Sequence, residues 1–156
     1  MKKLTVLMTL CLSGFLFWGC VKSKSCNPNP PSSEAPQILA YASANGMTVT
    51  AHPSGLYYQI ISQGSGTTAN ANSKIFITYD GRLLNGTQFD HQDVPNVSGW
   101  SLSGLIEGWR IGLPLIQKGG RIKLLVPSAL AYGCEPYQTL PGSSVLYFDI
   151  TLVDVQ

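Results

Sequence analysis

The chain has 156 residues, 44% hydrophobic, 10% aromatic and only 12% charged, with 16 glycines and 10 prolines. That length holds one domain plus an accessory segment, and the mix suits a β-rich globular domain better than a helical bundle or a disordered chain. Lys2 and Lys3 supply the formal net charge of +2; without the first nineteen residues, eight basic side chains balance eight acidic ones, and no basic face or run is left to bind nucleic acid.

In chain order, the first stretch is MKKLTVLMTLCLSGFLFWGC. A basic start, an apolar run and small Gly19 before Cys20 form the layout of a secretory signal peptide, expected over 1–19. The run is too short and wrongly flanked for a membrane span. Gly19-Cys20 resembles a bacterial lipoprotein cleavage site, after which Cys20 becomes the lipidated first residue. Phe17 and Trp18 stand where that motif prefers Leu and a small residue, so an ordinary cleaved signal and an uncleaved anchor are the other readings. Residues 20–36, rich in Pro, Ser and Asn, read as a lipid-anchored flexible tether. Cys26 lies in this tether and Cys134 in the folded part; a disulfide between them and two free thiols are both open readings. Residues 37–53 are expected to form a short N-terminal helix and linker. Apolar spacing at Ile38, Leu39, Tyr41 and Ala42 marks the helix over 34–47, and Asn45-Gly46 its stop.

From residue 54 to 156 the pattern is strands and turns. GLYYQIIS (55–62), KIFITYDGRLL (74–84), TQFD (87–90), GGRIKLLVP (119–127) and SSVLYFDITLVDV (143–155) read as strands. Asn85-Gly86 predicts a tight hairpin with positive φ at both residues. LIEGWRIGL (105–113) suits one or two helical turns closed by Pro114. The fold class is therefore α+β, a curved antiparallel sheet of five to six strands around one short central helix. Tyr79, Phe89, Trp100, Trp109, Tyr132 and Phe148 fall near strand ends, the helix and the loops between them. They are either ordinary core or the lining of an aromatic cleft. Asp90, a carboxylate directly after Phe89, is either a turn residue or part of that cleft.

No metal constellation stands out, since His52 and His91 are far apart and no Cys-His spacing matches a zinc site. There is no G-x-S-x-G elbow, phosphate loop or G-x-G-x-x-G, and no cofactor is expected. An apolar cleft with a few polar groups is what remains, the usual make-up of a binding site.

Taken together, GLYYQIISQGSG, ITYDGRLLNGTQFD, LIEGWRIGLPLIQKGGRIKLLVPSALAYG and LPGSSVLYFDITLVDV resemble, in order and spacing, the FKBP family of peptidyl-prolyl cis–trans isomerases. The resemblance covers roughly 54–155. It implies an FKBP-like sheet around one helix, with Trp109 as the pocket floor. It implies Tyr79, Asp90 and Tyr132 as the catalytic polar groups, and Phe89, Trp100, Leu105, Ile106, Leu140 and Phe148 as further substrate-binding walls. In such a site the hydroxyl at Tyr132 and the backbone N–H of Ile106 donate to ligand carbonyls, and Asp90 accepts from Tyr79. Trp100 stands where the family has Phe, Leu140 where it has Ile, Leu105 where it has Val, Asp80 where Thr is common, and Gly142 where a second Pro is common. The loop around Cys134 is slightly short. The implied function is isomerisation of X-Pro bonds in folding extracytoplasmic proteins, by a member lipid-anchored to the bacterial cell envelope and facing the periplasm. Partners would be proline-containing unfolded or partly folded polypeptides, a macrolide inhibitor in the same pocket, and the membrane through the lipid. A non-catalytic prolyl-peptide-binding chaperone or interaction lipoprotein on the same fold is the alternative.

Overall fold

The computed structural model describes residues 26–156. The expected signal peptide, Cys20 and the start of the expected tether lie outside these residues. Helix α1, Pro31–Ala44, begins three residues before its expected start and takes in the last six residues of the expected tether. Two features explain the difference. Pro31 occupies the first turn, where its missing N–H would have had no helical partner. The Glu34 carboxylate is buried and accepts from the backbone N–H and the hydroxyl of Ser128, both at 2.7 Å. A contact 94 residues away holds this turn, and composition cannot reveal it.

Seven strands follow: β1 Thr50–Ala51, β2 Tyr57–Ser62, β3 Lys74–Leu83, β4 Gln88–Gln92, β5 Trp100–Ser101, β6 Arg121–Val126 and β7 Leu146–Val155. Six form one antiparallel sheet in the order β1-β2-β6-β7-β3-β4, and the two-residue β5 pairs with the start of β3. The long terminal strand β7 thus sits in the middle, between β6 and β3. Its alternation assigns the faces. Leu146, Phe148, Ile150 and Leu152 join the main core with Ile75, Ile77 and Tyr79 of β3 and Ile122 and Leu124 of β6. Helix α2, Glu107–Gly112, lies against that face and contributes Trp109. Leu125 and Tyr147 point to the other face, where Ile38 and Ala42 of α1 cover them.

α2 is one and a half turns long and ends before Pro114, which lies in a 3-10 turn, Leu113–Leu115. Two glycines four apart set its distance from the sheet. A Cβ on Gly112 would stand 2.7 Å from Leu124 Cδ2, and one on Gly108 would run into Val126. At the β3–β4 hairpin only Gly86 has positive φ (+89°), and Asn85 does not. Gly86 N–H donates to Leu83 O and Leu83 N–H to Thr87 O, both at 2.9 Å. This is a four-residue turn, Leu83 to Gly86, closed by the left-handed glycine; the loop is one residue longer than the two-residue turn expected and shifts the strand register by one. Cys26 and Cys134 form a disulfide with Cα atoms 5.8 Å apart, a usual separation for a bridge. Of the two open readings, the bridge is the one found.

Candidate functional site

The site begins with the displaced register. Gly81 pairs with Asp90 but Arg82 pairs with Gln88, so Phe89 is an extra residue in β4. Such a bulge breaks the alternation that would send neighbouring side chains to opposite faces. Phe89 and Asp90 therefore both serve the core face. Phe89 stacks edge-on to Phe148, with ring centroids 5.6 Å apart. Asp90, diagonal to Tyr79 across the strands, accepts its hydroxyl at 2.6 Å. Gly81 makes room between them: a Cβ there would lie 3.0 Å from the Phe148 ring and 3.1 Å from that of Phe89.

Trp109, on α2, is 4% exposed and forms the base of an aromatic cluster. Tyr79 and Phe148 stand nearly perpendicular to its ring, each at 5.0 Å, and Trp100 lies nearly parallel at 6.3 Å. Trp100 reaches this position because β5 pairs Trp100 with Ile75 at the start of β3; the sequence shows no strand there, since two residues carry no periodicity. The Trp109 indole N–H is buried without a hydrogen-bond partner among the described residues.

Above Trp109 opens a cleft of about 550 Å³, lined by Tyr79, Asp90, Trp100, Leu105, Ile106, Trp109, Tyr132 and Phe148 together with Gly99, Ser101, Gly104 and Tyr137. Ile106 is at the N-cap of α2, where backbone N–H groups have no helical acceptor. Of the ten side chains expected at the site, eight line this cleft. Phe89 and Leu140 line a smaller adjoining cavity of about 310 Å³ that shares Asp90, Tyr132 and Tyr137 with it. Leu140 is 5% exposed and belongs mainly to the core. Gly99, Ser101, Gly104 and Tyr137 line the cleft without having been marked in the sequence, and Tyr137 is the one among them with a large side chain. It follows Pro136 in a turn-rich loop, where no strand or helix period can tell an inward ring from an outward one.

Burial, and then the bond to Asp90, push the Tyr79 hydroxyl well above the usual tyrosine range. Burial also raises Tyr132, helped by the nearby Tyr137 and Asp90. Both hydroxyls are therefore neutral donors at ordinary pH rather than bases. Asp80, next to Tyr79, points to the opposite face. Burial there favours its neutral form, but the Arg82 guanidinium and the Gln88 amide, each donating at 2.6 Å, outweigh it and hold the carboxyl below its usual range. Asp80 pins the hairpin and takes no part in the cleft. No group of metal-binding side chains is present among the described residues.

Comparison with known proteins agrees with this fold. The family model described as FKBP-type peptidyl-prolyl cis-trans isomerase matches residues 65–153. The chain is 38% identical over 103 residues to the FKBP-type peptidyl-prolyl cis-trans isomerase FkpA of Escherichia coli (strain K12), covering 65% of this chain and 38% of that protein. It is 42% identical over 103 residues to FkpA of Buchnera aphidicola subsp. Acyrthosiphon pisum, covering 65% and 43%. The chain thus spans about two fifths of the length of these relatives. The crystal structure of FkpA from Escherichia coli superposes with a TM-score of 0.70 at 32% identity, covering 81% of this chain and 61% of that one. A peptidyl-prolyl cis-trans isomerase from Pseudomonas syringae pv. tomato superposes with a TM-score of 0.68 at 26% identity, covering 82% and 97%. The matched segment takes in β3 to β6, most of β7 and all the aromatic side chains of the cleft, and the chain belongs to the FKBP-type peptidyl-prolyl cis-trans isomerase family.

Proposed function

We propose that this protein accelerates cis–trans rotation about X-Pro bonds in proline-containing, unfolded or partly folded polypeptides. One observation carries the reading: an open aromatic cleft whose polar groups are neutral donors and one carboxylate already bound to Tyr79. Such a site suits a reaction that needs no proton transfer and no covalent step. Resonance sets a barrier of about 18–20 kcal/mol to peptide rotation. The two X-Pro ground states differ by only about 0.5–1 kcal/mol, so the difficulty is one of rate. The twisted amide has lost resonance and charge separation, and an apolar enclosure favours it over the planar form. Trp109, Tyr79 and Phe148 would surround the pyrrolidine ring, with Phe89 supporting Phe148 from behind. The Tyr132 hydroxyl and the Ile106 N–H would hold the flanking carbonyls while the prolyl side turns. Asp90 orients Tyr79 and is neither acid nor base. Catalysis then consists of binding the twisted state more tightly than either planar one.

The same reading extends to place and ligands. The signal-like residues 1–19, followed by Cys20, support an envelope protein, lipid-anchored and facing the periplasm. The Cys26–Cys134 disulfide supports an oxidising compartment independently of that segment. A macrolide inhibitor of the family would compete for the cleft. The mass of the mature N-terminus checks the lipid: an acylated Cys20 supports the anchor, and an unmodified terminus removes it. The isomerase reading is tested with prolyl peptides differing in the residue before Pro, at micromolar protein. Acceleration in part of the series supports it. Binding without acceleration across the whole series leaves a prolyl-peptide-binding module instead.

A further inference from the structure

Tyr132 and Tyr137 lie face to face, with ring centroids 4.1 Å apart and planes 7° from parallel. Neither ring is core: they are 37% and 44% exposed and form the wall shared by the prolyl cleft and its smaller neighbour. The backbone that carries them is held at several points. Gly133 donates to Ser128 O at 2.8 Å and accepts from Ser143 N–H at 3.0 Å. Cys134 is tied to Cys26. Tyr137 and Leu140 exchange both backbone hydrogen bonds, at 3.0 and 2.8 Å, around Gln138 in the left-handed region at φ +52°. Leu140 is buried and anchors that turn in the core. Both backbones are thus fixed, and what is left free at Tyr132 is rotation of its half-exposed ring, which the Tyr137 ring covers on one face.

We infer that Tyr137 is a positioning residue: by stacking on Tyr132 it holds the Tyr132 hydroxyl at the angle from which it donates to the substrate carbonyl. The inference rests on the role proposed above for Tyr132. A parallel aromatic pair resists rotation of either ring, and a donor held in place before the substrate arrives loses no freedom when the amide twists. A ring suffices for this, so the Tyr137 hydroxyl is dispensable.

The test is a double-mutant cycle on the full chain, with kcat and KM measured on one prolyl peptide and melting temperatures recorded for each variant. Tyr132→Phe is expected to lower kcat about three- to tenfold, the size of one neutral hydrogen bond. Tyr137→Ala should lower kcat by a similar factor with KM and melting temperature little changed, and Tyr137→Phe should restore it. In the Tyr132→Phe background, removing Tyr137 should cost nothing more. If Tyr132→Phe is impaired but Tyr137→Ala is not, or if the two losses multiply, Tyr137 does not act through Tyr132 and the inference falls alone. If Tyr132→Phe turns over like the parent, the role of Tyr132 falls, and this inference with it.

Discussion

At the scale of single residues, the proposed role of the cleft depends on the Asp90 carboxylate that holds the Tyr79 hydroxyl. The β4 bulge turns Asp90 to the same side as Phe89, and its bond to the Tyr79 hydroxyl satisfies a donor that is otherwise buried among rings. Removing the acceptor leaves that hydroxyl unpaired, at about 1–3 kcal/mol. Asp90→Ala is therefore expected to lower kcat/KM about tenfold while the chain stays folded. The check is peptide isomerisation alongside near-ultraviolet circular dichroism. Tyr79→Phe should cost less, because it removes the donor and leaves only a half-exposed carboxylate that water can solvate. An Asp90→Ala protein with parental activity would mean the pair is structural. A charge directly after Phe in an otherwise apolar stretch singled Asp90 out in the sequence, and the family resemblance implied its bond to Tyr79. The sequence could not place Asp80, whose partners Arg82 and Gln88 lie on the opposite face.

At the scale of elements, α2 must come close to the sheet for Trp109 to become the base of the cleft. Gly108 and Gly112 allow that approach, since side chains there would meet Val126 and Leu124 of β6. Gly108→Ala forces helix and sheet apart, and overpacking of this kind costs about 1–3 kcal/mol. A lower urea midpoint and a shifted tryptophan fluorescence maximum are expected together; an unchanged midpoint would show that Val126 yields freely. How legible each element was depends on its length. The long strands β3 and β7 show their faces through alternation, and both were readable. The pair Trp100–Ser101 is too short for any period, and α1 begins among prolines because Glu34 meets Ser128, a contact that no local pattern encodes. The Asn85-Gly86 turn was found in the right place with the wrong backbone. One left-handed glycine suffices there, and the extra loop residue shifts the register by one, which the bulge at Phe89 then restores.

At the scale of the whole molecule, α1 and the residues before it belong to the architecture of the site. Glu34 and Cys26 both hold the chain between β6 and β7 that carries Tyr132 and Tyr137. The bridge spans 108 residues of sequence. A bridge restricts the unfolded chain and typically contributes about 2–4 kcal/mol. Cys134→Ser should lower the denaturation free energy by about that amount in non-reducing urea titrations, and reductant should do the same to the parent and nothing to the variant. Equal stability of the parent with and without reductant would mean that the bridge contributes no net stabilisation.

The central claim is that the aromatic cleft speeds X-Pro rotation by enclosure and hydrogen bonding, without proton transfer. Exchange spectroscopy on a proline peptide with catalytic amounts of protein tests it directly, because it reads cis–trans interconversion without a coupled reaction. Burial holds the Tyr79 and Tyr132 hydroxyls above their ordinary range, so neither changes protonation between about pH 7.5 and pH 9.5. The expected result is exchange far faster than in the free peptide and flat across that interval. Exchange no faster than in peptide alone, or a rate that rises or falls tenfold across it, would contradict the account.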